Sequence, residues 1–342
     1  MTAESDSPLL QPGKLPGPLL DRLIEAYRTQ PDPSVIVPTG YGRDAAAITV
    51  AAETPLIVKS DPITFATSSA ARYLVAVNAN DIACLGGIPR WLTVVMLMPE
   101  GSSEADVEQQ FAELQSACNA LDIAVIGGHS EVTAAVSQPV LVGTMMGEAG
   151  PWGLLEPGGA DVGEDVFMTQ SAGIEGTALI ARERASDLAP LLGQQQVSHA
   201  AKLLDLPGIS IVRAAQALLA TGKVRALHDP TEGGVATAIH ELAAASGCGV
   251  EVMRDAIPVL PETAAICAHF GIDPIGLLGS GALLVAASPA DRLSIERAAR
   301  EAGVPIRHIG RLVDAAEGST MLTSAGLVPL PRFDADEVTK VL

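Results

Sequence analysis

The sequence predicts a mixed α+β fold made of two domains. Its 342 residues exceed the usual size of a single domain, and both halves contain strand-like and helix-like apolar segments. Between Glu148 and Gly163 the chain becomes rich in glycine and proline, which indicates a domain boundary. We therefore predict three segments, which are a flexible leader (1–17), an N-terminal domain (18–152) and a C-terminal domain (160–342).

In the first half, hydrophobic periodicity predicts alternating helices and strands. Apolar residues at helical spacing indicate helices, and short continuous apolar runs indicate strands. Ser103 is placed to cap the third helix, with Asp106 in its first turn. The predicted helices are 19–29, 68–86 and 103–121. The predicted strands are 34–37, 45–51, 55–59, 90–98, 123–126 (ending at Gly127-Gly128) and 139–146.

The second half shows the same mixture. Strands are predicted at 165–169, 282–287 and 306–313, and helices at 210–219, 233–245 and 289–303, with another starting near Glu175. The stretch from Arg182 to Gln196 is charged and Gln-rich and carries no readable chemistry. Periodicity alone leaves the topology open.

Composition excludes some classes of function. The formal net charge of −19 repels phosphate backbones and argues against nucleic-acid binding. An anionic substrate such as a nucleotide would need magnesium or helix N-termini. The four cysteines have no metal-ligand spacing, and no apolar run is long enough to cross a membrane. Without a signal segment, the chain is predicted to be cytoplasmic.

The most informative motif is Asn78-Ala79-Asn80-Asp81, which places two amides and a carboxylate in an apolar helix. Burying such groups is unfavourable unless they are hydrogen-bonded or hold a ligand. A carboxylate with amides suits magnesium, whose remaining ligands are water. The alternative is a polar helix face buried against backbone groups.

Five further motifs are candidate parts of a site. Gly40-x-Gly42-Arg43-Asp44 could be a ligand-binding loop or a tight turn. Asp61, which precedes Pro62, could belong to a site at the end of a strand or form an Asx-type turn. Gly127-Gly128-His129-Ser130-Glu131 could be an anion nest or a glycine turn with a solvated His-Glu pair. His228 to Gly234 could open a helix N-terminus to phosphate, or form a helix capped by Asp229 or Thr231. Gly279-Ser280-Gly281 is a weak small-residue motif.

In this order, the motifs resemble the aminoimidazole ribonucleotide (AIR) synthetase-related superfamily, and most closely its HypE-like members. The resemblance covers about Val35 to Val313. It implies an N-terminal ATP-binding domain that pairs into a β-barrel in a homodimer, and a C-terminal α/β sandwich. It also implies ATP and Mg2+ as cofactors, and phosphorylation of an amide, carbamoyl or similar oxygen of a small molecule.

The resemblance also implies roles for single residues. Asp44, Asp61 and Asp81 would hold the metal, and Asp44, Asp81 and His129 would be catalytic. The implied nucleotide contacts are Gly42, Asp61, Asn78, Asn80, Gly127, Gly128, Asp229, Glu232 and Gly233.

The chain departs from the family pattern at three places. Arg43 and His129 stand where many members have aspartate, and the sequence lacks the terminal cysteine that accepts the carbamoyl group in HypE proteins. Two alternatives therefore stay open, which are a non-catalytic nucleotide-binding scaffold with a maturation-protein partner, and a kinase like thiamine-monophosphate kinase. No nucleic-acid or membrane partner is expected.

Overall fold

The computed structural model describes the chain except for residues 1–9, 11–12, 38–46, 52 and 65–68. The chain divides into two compact units, of which the first comprises Met1–Ile82 and Gly87–Gly150, and the second Ala83–Gly86 and Pro151–Leu342. Each unit combines a sheet with helices, so the predicted two-domain α+β class is confirmed. The predicted leader and the exact domain limits stay predictions.

The first unit is built on a five-stranded sheet with the strand order β1-β6-β5-β7-β4. Strands β2 and β3 form a separate, two-stranded antiparallel sheet. The strands are β1 (Gly13–Lys14), β2 (Val35–Val37), β3 (Ala47–Ile48), β4 (Leu56–Ile63), β5 (Gly87–Pro99), β6 (Ala124–Thr133) and β7 (Val140–Ala149). The helices are α1 (Gly17–Ala26), α2 (Ala70–Cys84) and α3 (Glu104–Ala120).

Helix α3 forms the crossover between β5 and β6, which run parallel. Its start follows the predicted cap, because the Asp106 amide donates to Ser103 Oγ at 3.3 Å and the Ser103 amide donates to Asp106 Oδ2 at 2.7 Å. Helix α2 lies within the predicted 68–86 segment, and most of its side chains are buried.

Strand β6 differs from its prediction. The expected turn at Gly127-Gly128 is wrong, because β6 continues through both glycines and pairs them with Thr93 and Val94 of β5. A Cβ atom on Gly128 would lie 2.0 Å from the Val94 carbonyl oxygen. The glycine therefore permits a close strand approach and does not form a loop for an anion.

The second unit contains a seven-stranded sheet with the order β14-β13-β10-β12-β8-β11-β9. Its strands are β8 (Asp165–Thr169), β9 (Val224–His228), β10 (Gly249–Met253), β11 (Leu284–Ala287), β12 (Ile306–Val313), β13 (Ser319–Thr323) and β14 (Gly326–Pro329). Its helices are α4 (Ile174–Glu183), α5 (Ala185–Leu192), α6 (Gln194–Ala201), α7 (Val212–Leu219), α8 (Gly234–Ala245), α9 (Pro261–Phe270) and α10 (Arg292–Glu301).

The core of the second unit lies between this sheet and its helices. Strands β8 and β11 are buried along their whole length, which explains why they read as continuous apolar runs. The stretch 182–196, which the sequence left unassigned, contributes to α4, α5 and α6. In the part of the chain that the structure describes, no helix has the length and apolarity required to span a membrane.

Candidate functional site

Two aspartates of the first unit face the same lysine. Asp61 lies on β4 and Asp81 on α2. The Lys59 ammonium nitrogen is 3.0 Å from Asp61 Oδ2 and 3.0 Å from Asp81 Oδ2. The fold therefore brings together two of the carboxylates that the sequence predicts as metal ligands, around one position held by a cation.

Lys59 reaches this position because it stands two residues before Asp61 on β4. Side chains at i and i+2 of a strand point to the same face of a sheet. Burial alone would lower the pKa of Lys59, but hydrogen bonds and charges of Asp81 and Asp61 raise it above the ordinary lysine value. The two carboxylates therefore favour the charged form of the lysine that lies between them.

Asn78 fixes the backbone on which Asp61 stands. The Asp61 amide donates to Asn78 Oδ1 at 3.0 Å, while Asn78 Nδ2 donates to the carbonyls of Leu74 at 2.9 Å and Asp61 at 3.4 Å. Opposite Asp61 on β7 stands Gly143, where a Cβ atom would lie 3.1 Å from Asn78 Nδ2. The glycine leaves space for the buried amide, and the amide ties α2 to β4.

The donor set of this pair suits magnesium. Magnesium prefers oxygen ligands and usually takes one or two carboxylates, with phosphates and water completing its shell. The described residues include no group of three or more His, Cys, Asp or Glu side chains placed to hold a metal ion. Asp61 and Asp81 supply two carboxylates of the kind that magnesium uses together with phosphate oxygens. The predicted partners Asp44 and Gly42 lie outside the described residues.

The structure places the Gly127-to-His129 motif elsewhere in the same sheet. His129 lies on β6, and its Nε2 atom is 3.1 Å from Glu131 Oε2. Strands β5 and β7 separate β6 from β4. At the usual strand spacing, this puts the backbone of His129 about 14 Å from that of β4. Within one chain, His129 does not join the aspartate pair.

In the second unit, the predicted motif surrounds the start of α8. Gly233, with a positive φ of 76°, occupies the cap position of the helix, which one of the two alternatives gave to Asp229 or Thr231. The Gly233 amide instead donates to Asp336 Oδ2 at 2.8 Å. Asp336 also accepts from the amides of Leu278 at 3.2 Å and Val338 at 2.8 Å.

One carboxylate from the end of the chain therefore clamps three separate segments. Burial raises the pKa of Asp336, which its three amide donors partly offset. A phosphate at the start of α8 would compete with Asp336 for the Gly233 amide. The Gly233 amide is therefore already occupied at the place where the sequence predicts an anion site.

A second buried carboxyl lies near this clamp. Glu175 is in the first turn of α4 and is 1% exposed. The pKa of Glu175 is raised to about 7. Burial is the main cause and the negative charges of Asp336 and Asp229 add to it, while the hydrogen bonds from Ser280 lower the pKa. Glu175 therefore takes up a proton near neutral pH.

The remaining predicted site residues differ in how far they are exposed to solvent. Asn80 and Asp229 are buried, whereas Glu232 is exposed. The sequence reasoning did not assign roles to Lys59, Glu175 or Asp336. Lys59 could have been found from its i, i+2 spacing to Asp61, but Asp336 and Glu175 acquire their partners only through long-range contacts.

Comparison with known proteins gives matches over most of the chain. Residues 42–149 match the AIR synthase related protein N-terminal domain, and residues 161–322 match the C-terminal domain. The chain is 28% identical over 285 residues to carbamoyl dehydratase HypE of Cupriavidus necator, covering 80% of this chain and 77% of that protein.

Two solved structures share the fold. Hydrogenase maturation protein HypE in complex with ATP superposes with a TM-score of 0.77 and 21% identity over 94% of each chain. Thiamine-monophosphate kinase from Stenotrophomonas maltophilia K279a gives a TM-score of 0.73 at 23% identity, over 89% of this chain and 95% of that one. At these identities the likeness shows the fold.

Proposed function

Because the chain belongs to the AIR synthase related protein family through both of its domains, we propose that it is an ATP-dependent phosphoryl-transfer enzyme. The acceptor is an amide, carbamoyl or similar oxygen of a small molecule. The similarity to a carbamoyl dehydratase and to a structure solved with ATP supports this reaction class. The names of these relatives do not fix the acceptor.

The observation that carries the proposal is the convergence of Asp61 and Asp81 on one cation position. Phosphoryl transfer depends mainly on positioning and on neutralising phosphate charge. Magnesium held there would supply that neutralisation. Asp61 and Asp81, together with Asp44, would hold it, and Asn78 would keep Asp61 in place through its backbone.

The other proposed contacts rest on the family resemblance. These are Gly42, Asn80, Gly127, Gly128, Asp229, Glu232 and Gly233 for the nucleotide, and His129 as a catalytic group. The separation of β6 from β4 means that His129 would act on a part of the substrates remote from its own chain's aspartate pair.

The proposed reaction transfers the γ-phosphoryl group of ATP to the acceptor oxygen. The acceptor oxygen forms a bond to the γ-phosphorus while the bond from that phosphorus to the β–γ bridging oxygen breaks, and ADP leaves. An amide nitrogen loses one proton in this step. In a dehydratase, the phosphorylated oxygen then departs as inorganic phosphate, the nitrogen loses its second proton, and a nitrile remains.

Calorimetric titration with ATP and magnesium tests the nucleotide site. We expect binding to the wild-type chain, and at least about tenfold weaker binding to Asp81→Asn because one carboxylate contact to the metal is lost. Asp21→Asn, which changes an exposed aspartate of α1, is the matched control and should bind like the wild type. No heat at millimolar nucleotide, from protein shown to be folded by circular dichroism, would refute the proposal.

Product analysis separates the proposed reaction from its alternatives. The purified chain is incubated with MgATP and a pool of small amides and carbamoyl compounds, and ADP and inorganic phosphate are measured. ADP with phosphate indicates a dehydratase or ligase, and ADP without phosphate indicates a kinase. Nucleotide binding without acceptor-dependent ADP from any pool would favour the scaffold.

A further inference from the structure

Lys59 supplies a positive charge at the point where the Asp61 and Asp81 carboxylates meet. Its ammonium nitrogen is 3.0 Å from an oxygen of each carboxylate, which is ion-pair distance to both. The three side chains come from two elements, β4 and α2, and the backbone under Asp61 is held by Asn78. The pair therefore already has a counter-ion.

An ammonium group and a divalent cation compete for this position. Magnesium requires direct oxygen contacts at about 2.0–2.1 Å in octahedral geometry, and one oxygen of each carboxylate, Oδ2, already contacts Lys59. Two cations within a few ångströms also repel each other strongly at a partly buried site. A metal bound to these two Oδ2 atoms would require Lys59 to move away.

We propose that Lys59 is a resident counter-ion that keeps divalent cations off the Asp61–Asp81 pair until a nucleotide arrives. The proposal rests on the proposed function for its physiological setting, because the triphosphate is the group that would draw the ammonium away. The competition between Lys59 and a divalent cation can be measured whether or not the chain has enzymatic activity.

The surroundings of the pair allow this exchange. The side chains of Lys59, Asp61 and Asp81 are 37%, 32% and 26% exposed, so the lysine can swing outward. The Asp81 Oδ2 atom that faces Lys59 is itself buried, so a metal would reach it only after the lysine has moved. A lysine ammonium is a compact charge on a flexible stem and binds phosphate as readily as carboxylate. The metal and the nucleotide would then bind together, and the nucleotide-free chain would hold the metal weakly.

Binding of Mn2+ to the nucleotide-free chain, followed by electron paramagnetic resonance, tests the competition. We expect weak binding to the wild type and binding about tenfold tighter or more to Lys59→Met, because the opposing charge is gone. Lys59→Gln provides a second neutral variant in case the first does not fold. Lys59→Arg keeps the charge and should bind Mn2+ as weakly as the wild type.

The controls locate the effect. Lys223→Met removes a lysine that pairs with one carboxylate, Asp291, at 3.2 Å, and should leave Mn2+ binding unchanged. Adding Asp81→Asn to Lys59→Met should abolish the gained affinity. Equal Mn2+ affinity in wild type and both neutral, folded variants, or a gain that survives Asp81→Asn, overturns the proposal. ATP binding by the wild type is measured separately, so either proposal can fail alone.

Discussion

The amide of Asn78 shows how one residue can support a site through the backbone. The family resemblance implies that it contacts a nucleotide, and a buried amide in an apolar helix needs hydrogen-bond partners of some kind. The structure supplies partners in the peptide groups of Asp61 and Leu74. A nucleotide contact would have to share these hydrogen bonds. The predicted contact stays a prediction, and the observed bonds indicate a positioning role.

Glu175 leads to a prediction about stability and pH. Its pKa is about 7 in the folded chain against an ordinary value of 4.5, so between these values the folded chain holds a proton that the unfolded chain has released. Stability therefore falls as pH rises from 4.5 to about 7. Glu175→Gln keeps the shape without the charge. It should raise the free energy of unfolding at pH 8 by up to about 3 kcal/mol.

Urea denaturation at pH 5 and pH 8 measures this difference. The gain from Glu175→Gln should be small at pH 5 and large at pH 8, because the wild-type carboxyl is protonated at the lower pH. Glu232→Gln, at an exposed position, should change neither value by more than about 0.5 kcal/mol. A gain that is the same at both pH values would contradict the assigned pKa.

At the scale of elements, the glycine pair in β6 has two distinct roles. Gly128→Ala would place a Cβ atom 2.0 Å from the Val94 carbonyl oxygen and push β5 and β6 apart. Gly127→Ala would place one at ordinary contact, 3.7 Å from the Thr93 side chain. We expect Gly128→Ala to destabilise the fold by about 3 kcal/mol or more and Gly127→Ala to change stability by less than about 1 kcal/mol.

Thermal unfolding followed by circular dichroism compares the two variants. Similar melting temperatures would show that β5 and β6 do not approach each other as closely at Gly128 as described. The two glycines are adjacent in β6 and the substitution is the same, so Gly127→Ala is the matched control for Gly128→Ala.

The same strand shows which elements the sequence predicts and which it does not. Segments with a clear apolar period, such as α3 and β12, appear at or close to the expected limits. The glycines of β6 suggested a turn because local composition cannot reveal a partner strand close enough to require glycine. Helices α5 and α6 were not predicted, because α5 has a proline, Pro190, in its interior and α6 begins with three glutamines and has few apolar residues.

The sequence predicts the parts of the candidate site that lie within short motifs, and not the contacts between distant positions. The ordered motifs identified the family and the aspartates, and the fold brings Asp61 and Asp81 together. The Asp336 clamp depends on a contact between positions 103 residues apart, which no local pattern encodes. The same limit applies to the distance between His129 and the aspartate pair, which follows from the strand order.

At the scale of the whole molecule, each unit has its own packed cluster. Trp91 belongs to a small cluster in the first unit, and larger clusters lie in the second. The chain has only two tryptophans. In a Trp152→Phe background, Trp91 fluorescence reports on the first unit, while circular dichroism reports on both.

Asp336→Asn should weaken the second unit selectively. One of its three backbone donors would face the new amide group, which costs about 2 kcal/mol. In the Trp152→Phe background, we expect the circular dichroism midpoint in urea to fall while the Trp91 fluorescence midpoint stays in place. Asp334→Asn, at a side chain 86% exposed, should shift neither. Equal shifts of both midpoints would show that the units unfold as one.

The Asp336 clamp also sets an order of events during protein synthesis. Gly233 leaves the ribosome 103 residues before the carboxylate that its amide binds. At typical elongation rates this interval lasts about 5–20 seconds. Throughout it, the Gly233 amide at the start of α8 lacks its carboxylate partner and can bind water or a small anion, and this hydrogen bond forms only after Asp336 has been made.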